Sequence, residues 1–179
     1  MIDIRFTDEM NPRNASRVID QLRGPRDMIP NQDYGNKHEE WLERIEPRLI
    51  RGDVHALFGE FGRVAAGAIV FRPEPSDSNI AGIRCISIPP EFKGRRIASF
   101  MLRNTELLIE EMYPRTEEVI VDTKTTNHNM IAFLESQGYR PEEITDLYQS
   151  GKPDIVFSKT LRARDEASDL QPYVDRSTH

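Results

Sequence analysis

Cysteine is all but missing: Cys85 is the only one in 179 residues. One thiol cannot form an internal disulfide, so the chain carries no framework suited to an oxidising compartment. No apolar run is long enough to cross a bilayer. Positive charge is also short. The 24 Lys and Arg stand against 30 Asp and Glu, which leaves a formal net charge of −6. A chain of that sign repels a phosphate backbone, and nucleic-acid binding is disfavoured. Glycine-rich phosphate loops are missing too. Neither Gly-x-x-x-x-Gly-Lys-Ser/Thr nor Gly-x-Gly-x-x-Gly occurs, and Gly94 stands alone in its basic turn. The first residues, Ile2-Asp3-Ile4-Arg5-Phe6, alternate as a strand does and do not resemble a secretory leader. The expectation is a cytoplasmic protein with no membrane partner, no nucleic-acid partner and no metal.

What is present is one domain's worth of chain, with 37% apolar residues. Its organising stretch is Ile86 to Leu102. A short alternating run stops at Pro89-Pro90. A basic turn comes next, with Lys93, Gly94, Arg95 and Arg96. An apolar-periodic segment then runs to about Met112. This pattern is strand, turn, helix. The first amides of a helix lack intrahelical partners, and the helix dipole makes that end partly positive. Together with three cationic side chains, this makes an anion site, best suited to a pyrophosphate. The plainer alternative is a solvated basic turn that only caps the helix.

The remaining elements are read from period and punctuation. Ile2–Phe6 predicts a strand. A helix capped by Thr7 or Asp8 runs to about Leu22, with Ala15, Val18, Ile19 and Leu22 inward. Arg23 to Gly35 reads as a long loop. A helix over 36–50 turns Trp41, Leu42, Ile45 and Leu49 inward, and its Glu39-Glu40 pair reads as a solvated face. Val54–Phe61 and Arg63–Phe71 form a hairpin about Gly62. Pro73 to Asn79 reads as a polar loop, and Ile80–Ile88 as the strand entering the basic turn. Glu118–Thr123 holds Val119-Ile120-Val121, a strand covered on both faces. Thr126 or Asn127 caps a helix ending near Gln137 and Gly138. Tyr139–Tyr148 and Pro153–Leu161 are the last strands, and 162–179 is a charged tail, expected to be flexible. The order β-α-α-β-β-β-α-β-α-β-β predicts an α/β domain over 1–161. It has a mixed, mostly antiparallel sheet of six or seven strands flanked by about four helices.

Two blocks carry a resemblance. The first is Ile86-Ser87-Ile88-Pro89-Pro90-Glu91-Phe92-Lys93-Gly94-Arg95-Arg96-Ile97-Ala98. It resembles the apolar-x-apolar-x-Pro strand end and the Glu-Tyr-Arg-Gly-Arg-Gly-Ile-Gly turn of the general-control-type N-acetyltransferase superfamily (GNAT). The second, Asn127 to Tyr139, is similar to that family's Asn-x-x-Ala-x-x-x-Tyr-Glu-Lys-x-Gly-Phe. The resemblance covers roughly Ile2 to Leu161. It implies acetyl-CoA as donor, a primary amine as acceptor and direct attack without an acetyl-enzyme. The acceptor is a small molecule or a protein amine. It further implies that Lys93, Gly94, Arg95, Arg96, Ile97, Ala98 and Ser99 hold the pyrophosphate. Ile86 and Ile88 would pair their backbone with the pantetheine arm, as an added strand does. Asn127 would face the pantetheine, or serve as a plain N-cap. Dimers through the last strands are frequent in the family, so a homodimer is one expectation.

Three departures bear on chemistry. Arg96 stands where the family has glycine, a substitution that a helical backbone would tolerate. Leu134 stands where the family's tyrosine protonates the departing thiolate. Tyr148, Tyr139 and Cys85 are the candidate replacement acids, Tyr148 first among them, since Tyr139 reads more readily as a core aromatic. The strand over 80–88 has no carboxylate, so Asp122 is the candidate general base; its plainer reading is a strand-end carboxylate. Glu74, Asp77, His38 and His55 are weaker candidates. Cys85 reads as a small core residue and not as a nucleophile. These departures favour a second reading, a weak or inactive acyl-CoA-binding module used for sensing or assembly.

Overall fold

The computed structural model describes residues 4–24, 37–147 and 151–161. The chain runs β1 (Arg5–Thr7), α1 (Pro12–Arg23), α2 (Lys37–Arg51), β2 (His55–Phe61), β3 (Val64–Glu74) and β4 (Asp77–Ser87). A 3-10 turn (Pro90–Phe92) comes next, then α3 (Ile97–Met112), β5 (Glu118–Lys124), α4 (His128–Ser136), β6 (Arg140–Thr145) and β7 (Asp154–Thr160). The expected order of elements is present throughout. Of the expected loop from Arg23 to Gly35, Arg23 ends α1 and Gly24 caps it, while residues 25–35 lie outside the described residues, as do the tail over 162–179 and Tyr148.

Seven strands make one sheet in the order β1-β2-β3-β4-β5-β7-β6. Among the described residues only β4 and β5 run parallel, and every other neighbouring pair is antiparallel. A parallel pair needs a crossover, and α3 supplies it. Ala15, Val18, Ile19 and Leu22 of α1 and Leu42, Ile45 and Leu49 of α2 bury against Ala56, Phe58, Ala68 and Val70 on one face. Met101, Leu102 and Ile109 of α3 and Leu134 of α4 bury against Ile69, Phe71, Ile83, Val121 and Phe157 on the other. Apolar spacing of three and four residues on the helices, and of two on the strands, produces these two cores.

Strand ends shift by a few residues from the sequence expectation, as at β1 and β6, and two differences have a clear physical reason. The cap of α1 is Asn11, not Thr7 or Asp8. Its side chain accepts from Asn14 N at 3.0 Å, and Pro12 occupies the first turn, where no amide donor is needed. The expected polar loop over 73–79 is a tight hairpin between two 11-residue strands. Pro73 is tolerated there because β2 begins at His55, opposite Phe71. Beyond that point β3 has only β4 as a neighbour, so one side of its backbone needs no donor.

Helix α3 sits on β3 at Gly67. A Cβ there would come within 2.6 Å of Ile88 Cδ1, 2.8 Å of Met101 Sδ and 3.1 Å of Ser87 O. Gly67→Ala is therefore expected to lower stability by about 1–3 kcal/mol, the cost of overpacking a filled core. Chemical denaturation measures this, and an unchanged midpoint would refute the tight approach.

Candidate active site

The site begins where β4 and β5 stop pairing. Their ladder joins Ile80–Ile83 to Glu118–Val121 and goes no further, although β4 continues to Ser87 and β5 to Lys124. The two strand ends part. Arg84 marks the point: Val70 of β3 stands opposite Cys85, but Phe71 stands opposite Ile83, so Arg84 is an extra, bulged residue. In a regular strand, residues 83 and 85 would share a face. Here Ile83 packs under α3, while Cys85 packs toward α1 and α2. The bulge re-aims the residues beyond it. Ile86 and Ile88 turn to the α3 side, and Ser87 turns to α1, where Gln21 Nε2 donates to its Oγ at 3.1 Å.

After β4 the chain makes its 3-10 turn, and Phe92 buries as a plug. Gly94 takes φ +74°, with no atom near a would-be Cβ; its need for glycine is conformational, not steric. Arg96 takes φ +61° and ψ 12°, the left-handed region, and caps α3 with no side-chain hydrogen bond. This corrects the expectation of a helical Arg96. Among the described residues it is the only non-glycine with positive φ. A side chain in that conformation costs roughly 1–2 kcal/mol, which explains a glycine at this place in the resembled motif. The first α3 turn closes with Phe100 N donating to Arg96 O at 3.0 Å. The amides of Ile97, Ala98 and Ser99 precede that bond. With no side-chain cap competing, this end of α3 offers its N–H groups to an anion.

These pieces surround one cleft of about 500 Å³. Ile86, Ile88, Lys93, Gly94, Arg96, Ile97, Ala98, Ser99 and Asn127 all line it. Arg95 is exposed and lies outside the lining. Asn127 has both expected features, because it lines the cleft and caps α4 by accepting from Met130 N at 3.3 Å. Phe92, Asn129, Met130 and Phe133 line the cleft as well and were not anticipated. The spacing of Met130 and Phe133 from Asn127 places them on one helical face, which is the signal that could have found them.

The candidate catalytic residues lie elsewhere. Asp122 comes directly after the last β4–β5 pair and does not line the cleft. Val121 and Thr123 on either side of it are buried, and its charge is felt at Cys85. It therefore stands on the α1/α2 face. Burial, and secondarily the Asp122 charge, push the Cys85 thiol up to about 12. A thiol so held is not a nucleophile at neutral pH. Leu134 is fully buried in the core under α4 and does not line the cleft. Tyr139 is buried too, with its hydroxyl donating to Glu106 Oε1 at 2.9 Å, and burial raises its pKa further. The Glu74 carboxylate is engaged by Arg84. His55 lies between Phe71 and Tyr113, where burial lowers its pKa. His38 contacts Leu22 O through Nε2 at 3.2 Å and stacks on Trp41. Among the described residues, no cluster of His, Cys, Asp or Glu could hold a metal, and no helix is long and apolar enough to cross a membrane.

Two outcomes are expected. Arg96→Gly should raise stability by up to about 1 kcal/mol, because relief of the left-handed strain exceeds the added chain entropy; a destabilised variant would contradict the strain. Cys85 should resist iodoacetamide at pH 8 in the folded protein and react on unfolding. The fold favours the neutral thiol. That contribution is full below the unfolded thiol value of about 8.5 and is lost as pH rises toward 12. Rapid native labelling would contradict the raised value.

The sequence model of the Acetyltransferase (GNAT) family matches residues 22–139. No curated protein sequence matches the chain. Among solved structures, the chain is similar to a GNAT-family protein from Desulfovibrio desulfuricans, with TM-score 0.73 and 15% identity over 88% of this chain and 99% of that one. It is similar to the PaiA N-acetyltransferase of Thermoplasma acidophilum in complex with coenzyme A, with TM-score 0.68 and 16% identity over 89% and 99%. A GNAT-family acetyltransferase from Elizabethkingia anophelis with acetyl-CoA bound gives TM-score 0.62 and 15% identity over 90% and 100%. At these identities the structural likeness is one of fold. The family match spans well over half of the sequence, and the chain belongs to the Acetyltransferase (GNAT) family.

Proposed function

We propose that this protein transfers acetyl from acetyl-CoA to a primary amine by direct attack. The observation that carries the reading is the continuity of the parted strand edge of β4 with the uncapped start of α3 in one cleft. The edge offers unpaired backbone groups to the two amides of a pantetheine arm. The helix start, with Lys93 and Arg96, offers N–H groups and charge to a pyrophosphate. Acetyl-CoA joins those two chemistries in one molecule, and the coenzyme A complexes of structural relatives support it as the donor.

The acyl group is then presented through the parting, toward the α1/α2 face. An amine approaching from that face meets Asp122. Such an amine has a pKa of about 10, so a proton must leave before it attacks. Asp122 takes that proton directly or through water. Backbone N–H groups near Ile86–Ile88 stabilise the oxyanion as the C–N bond forms and the C–S bond breaks. The thiol product is a tolerable leaving group at neutral pH, so transfer proceeds without the family's tyrosine, at a cost on the order of a hundredfold or more. Tyr148 remains the candidate acid. The negative net charge suits a cationic acceptor. The lone free thiol suits a cytoplasmic setting. A homodimer through the last strands completes the proposal, because β6 is an edge strand with Ile144 68% exposed.

A second reading, a weakly active or inactive acyl-CoA-binding module, is favoured by Leu134, which fills core space where an acid would be wanted. Calorimetry with acetyl-CoA, followed by thiol release against a panel of amines, separates the two. Binding with turnover on one amine class is the expected result. Binding without turnover on any class would support the module instead. Gly94→Pro, which cannot adopt φ +74°, is expected to abolish binding. Undiminished affinity in the folded variant would overturn the pyrophosphate assignment.

A further inference from the structure

A second cleft of about 510 Å³ opens on the other side of the first turn of α3. Arg96 and Ser99 line both clefts, so the two adjoin at the helix start. Arg103, Glu106 and Lys159 supply the charge of the second. The Glu106 carboxylate is already satisfied. Lys159 Nζ donates to Oε1 at 2.9 Å and to Oε2 at 2.8 Å, and the Tyr139 hydroxyl donates to Oε1 at 2.9 Å. Lys159 and Glu106 thus neutralise one another. Arg96 and Arg103 remain, and among the described residues neither forms an ion pair. Arg96 caps α3 and Arg103 lies seven residues further on, roughly 10 Å along the helix axis. Two unpaired guanidinium groups facing one cleft stand out in a chain of net charge −6. The plain alternative is a pair of solvated side chains with no ligand.

We infer that this second cleft is a phosphomonoester subsite in which Arg103, with Arg96, binds the 3′-phosphate of coenzyme A. The inference rests on the coenzyme A reading proposed above. The 3′-phosphate is one ribose away from the pyrophosphate and carries close to two negative charges at neutral pH. A ligand anchored at the first turn of α3 therefore extends a dianion past Arg96 toward Arg103. Guanidinium donors match phosphate oxygens in pairs, and arginine does this better than lysine. Phe100, 52% exposed, gives the same cleft an apolar wall. The strained backbone at Arg96 gains a purpose on this account: its side chain stands at the junction between the two phosphate positions.

Titration of the protein with coenzyme A and with 3′-dephospho-coenzyme A tests the subsite, and binding is the readout. Wild type is expected to prefer coenzyme A by about tenfold or more, the worth of one or two charge-assisted hydrogen bonds. Arg103 is exposed, so Arg103→Ala should fold normally. It should lose most of that preference by weakening coenzyme A alone, with the affinity for the dephospho form unchanged. Arg103→Lys should recover part of the difference. Equal affinity of wild type for the two ligands would overturn the inference and leave the coenzyme A site standing, as would an equal loss for both in Arg103→Ala. Failure of wild type to bind either ligand would overturn both readings.

Discussion

The parallel ladder between β4 and β5 joins only Ile80–Ile83 to Glu118–Val121. Had it run on to Ser87 and Lys124, the sheet would be continuous and the backbone of 84–87 fully used. Because it stops, the β5-facing side of β4 over Cys85–Ser87 has no neighbouring strand to pair with. Backbone groups along such an edge need water or a ligand to satisfy them. The bulge at Arg84 is what permits the early stop, since it turns the strand and exchanges the faces of the residues beyond it. Ile86 and Ile88 therefore face the cleft, while Cys85 and Ser87 face α1 and α2.

The second constraint is the start of α3. No side chain caps it, and its cap residue holds a left-handed backbone that arginine adopts only at a cost. A sequence under selection for stability alone would place glycine there and a Ser, Thr or Asp beside it. Leaving the amides open while adding a guanidinium favours anion binding over intrinsic stability. The parted strand and the open helix start are adjacent along the chain, separated only by Ile88 to Arg96. The strand places an extended arm and the helix start places its phosphates, and both act on one molecule.

Much of this was legible in the residues. Apolar spacing fixed the order of all elements, and the run from Ile86 to Ala98 pointed to an anion site at the mouth of a helix. What escaped the sequence depends on backbone conformation that no single residue announces. Nothing in Gly82-Ile83-Arg84-Cys85 marks a bulge. Pro73 reads as a loop because its tolerance depends on where a different strand, β2, begins. Arg96 gave no sign of positive φ, because glycine, the usual signal, is the residue it replaces. Leu134 keeps its place in the motif yet faces the core, and Asp122 proved to stand across the sheet from the cleft. Arg103 and Lys159 lie 56 positions apart in the sequence. Only the packing of β7 beside α3 brings them to one cleft.

The most direct test tracks the backbone amides by NMR during a titration with coenzyme A. The account predicts that the largest shifts fall on Gly94–Ser99, where the helix start meets phosphate, and on Arg84–Ile88, where the parted strand meets the pantetheine arm. Saturable binding that moved neither set would contradict it. The cleft between β4 and α3 would then not be the place where this protein holds its ligand.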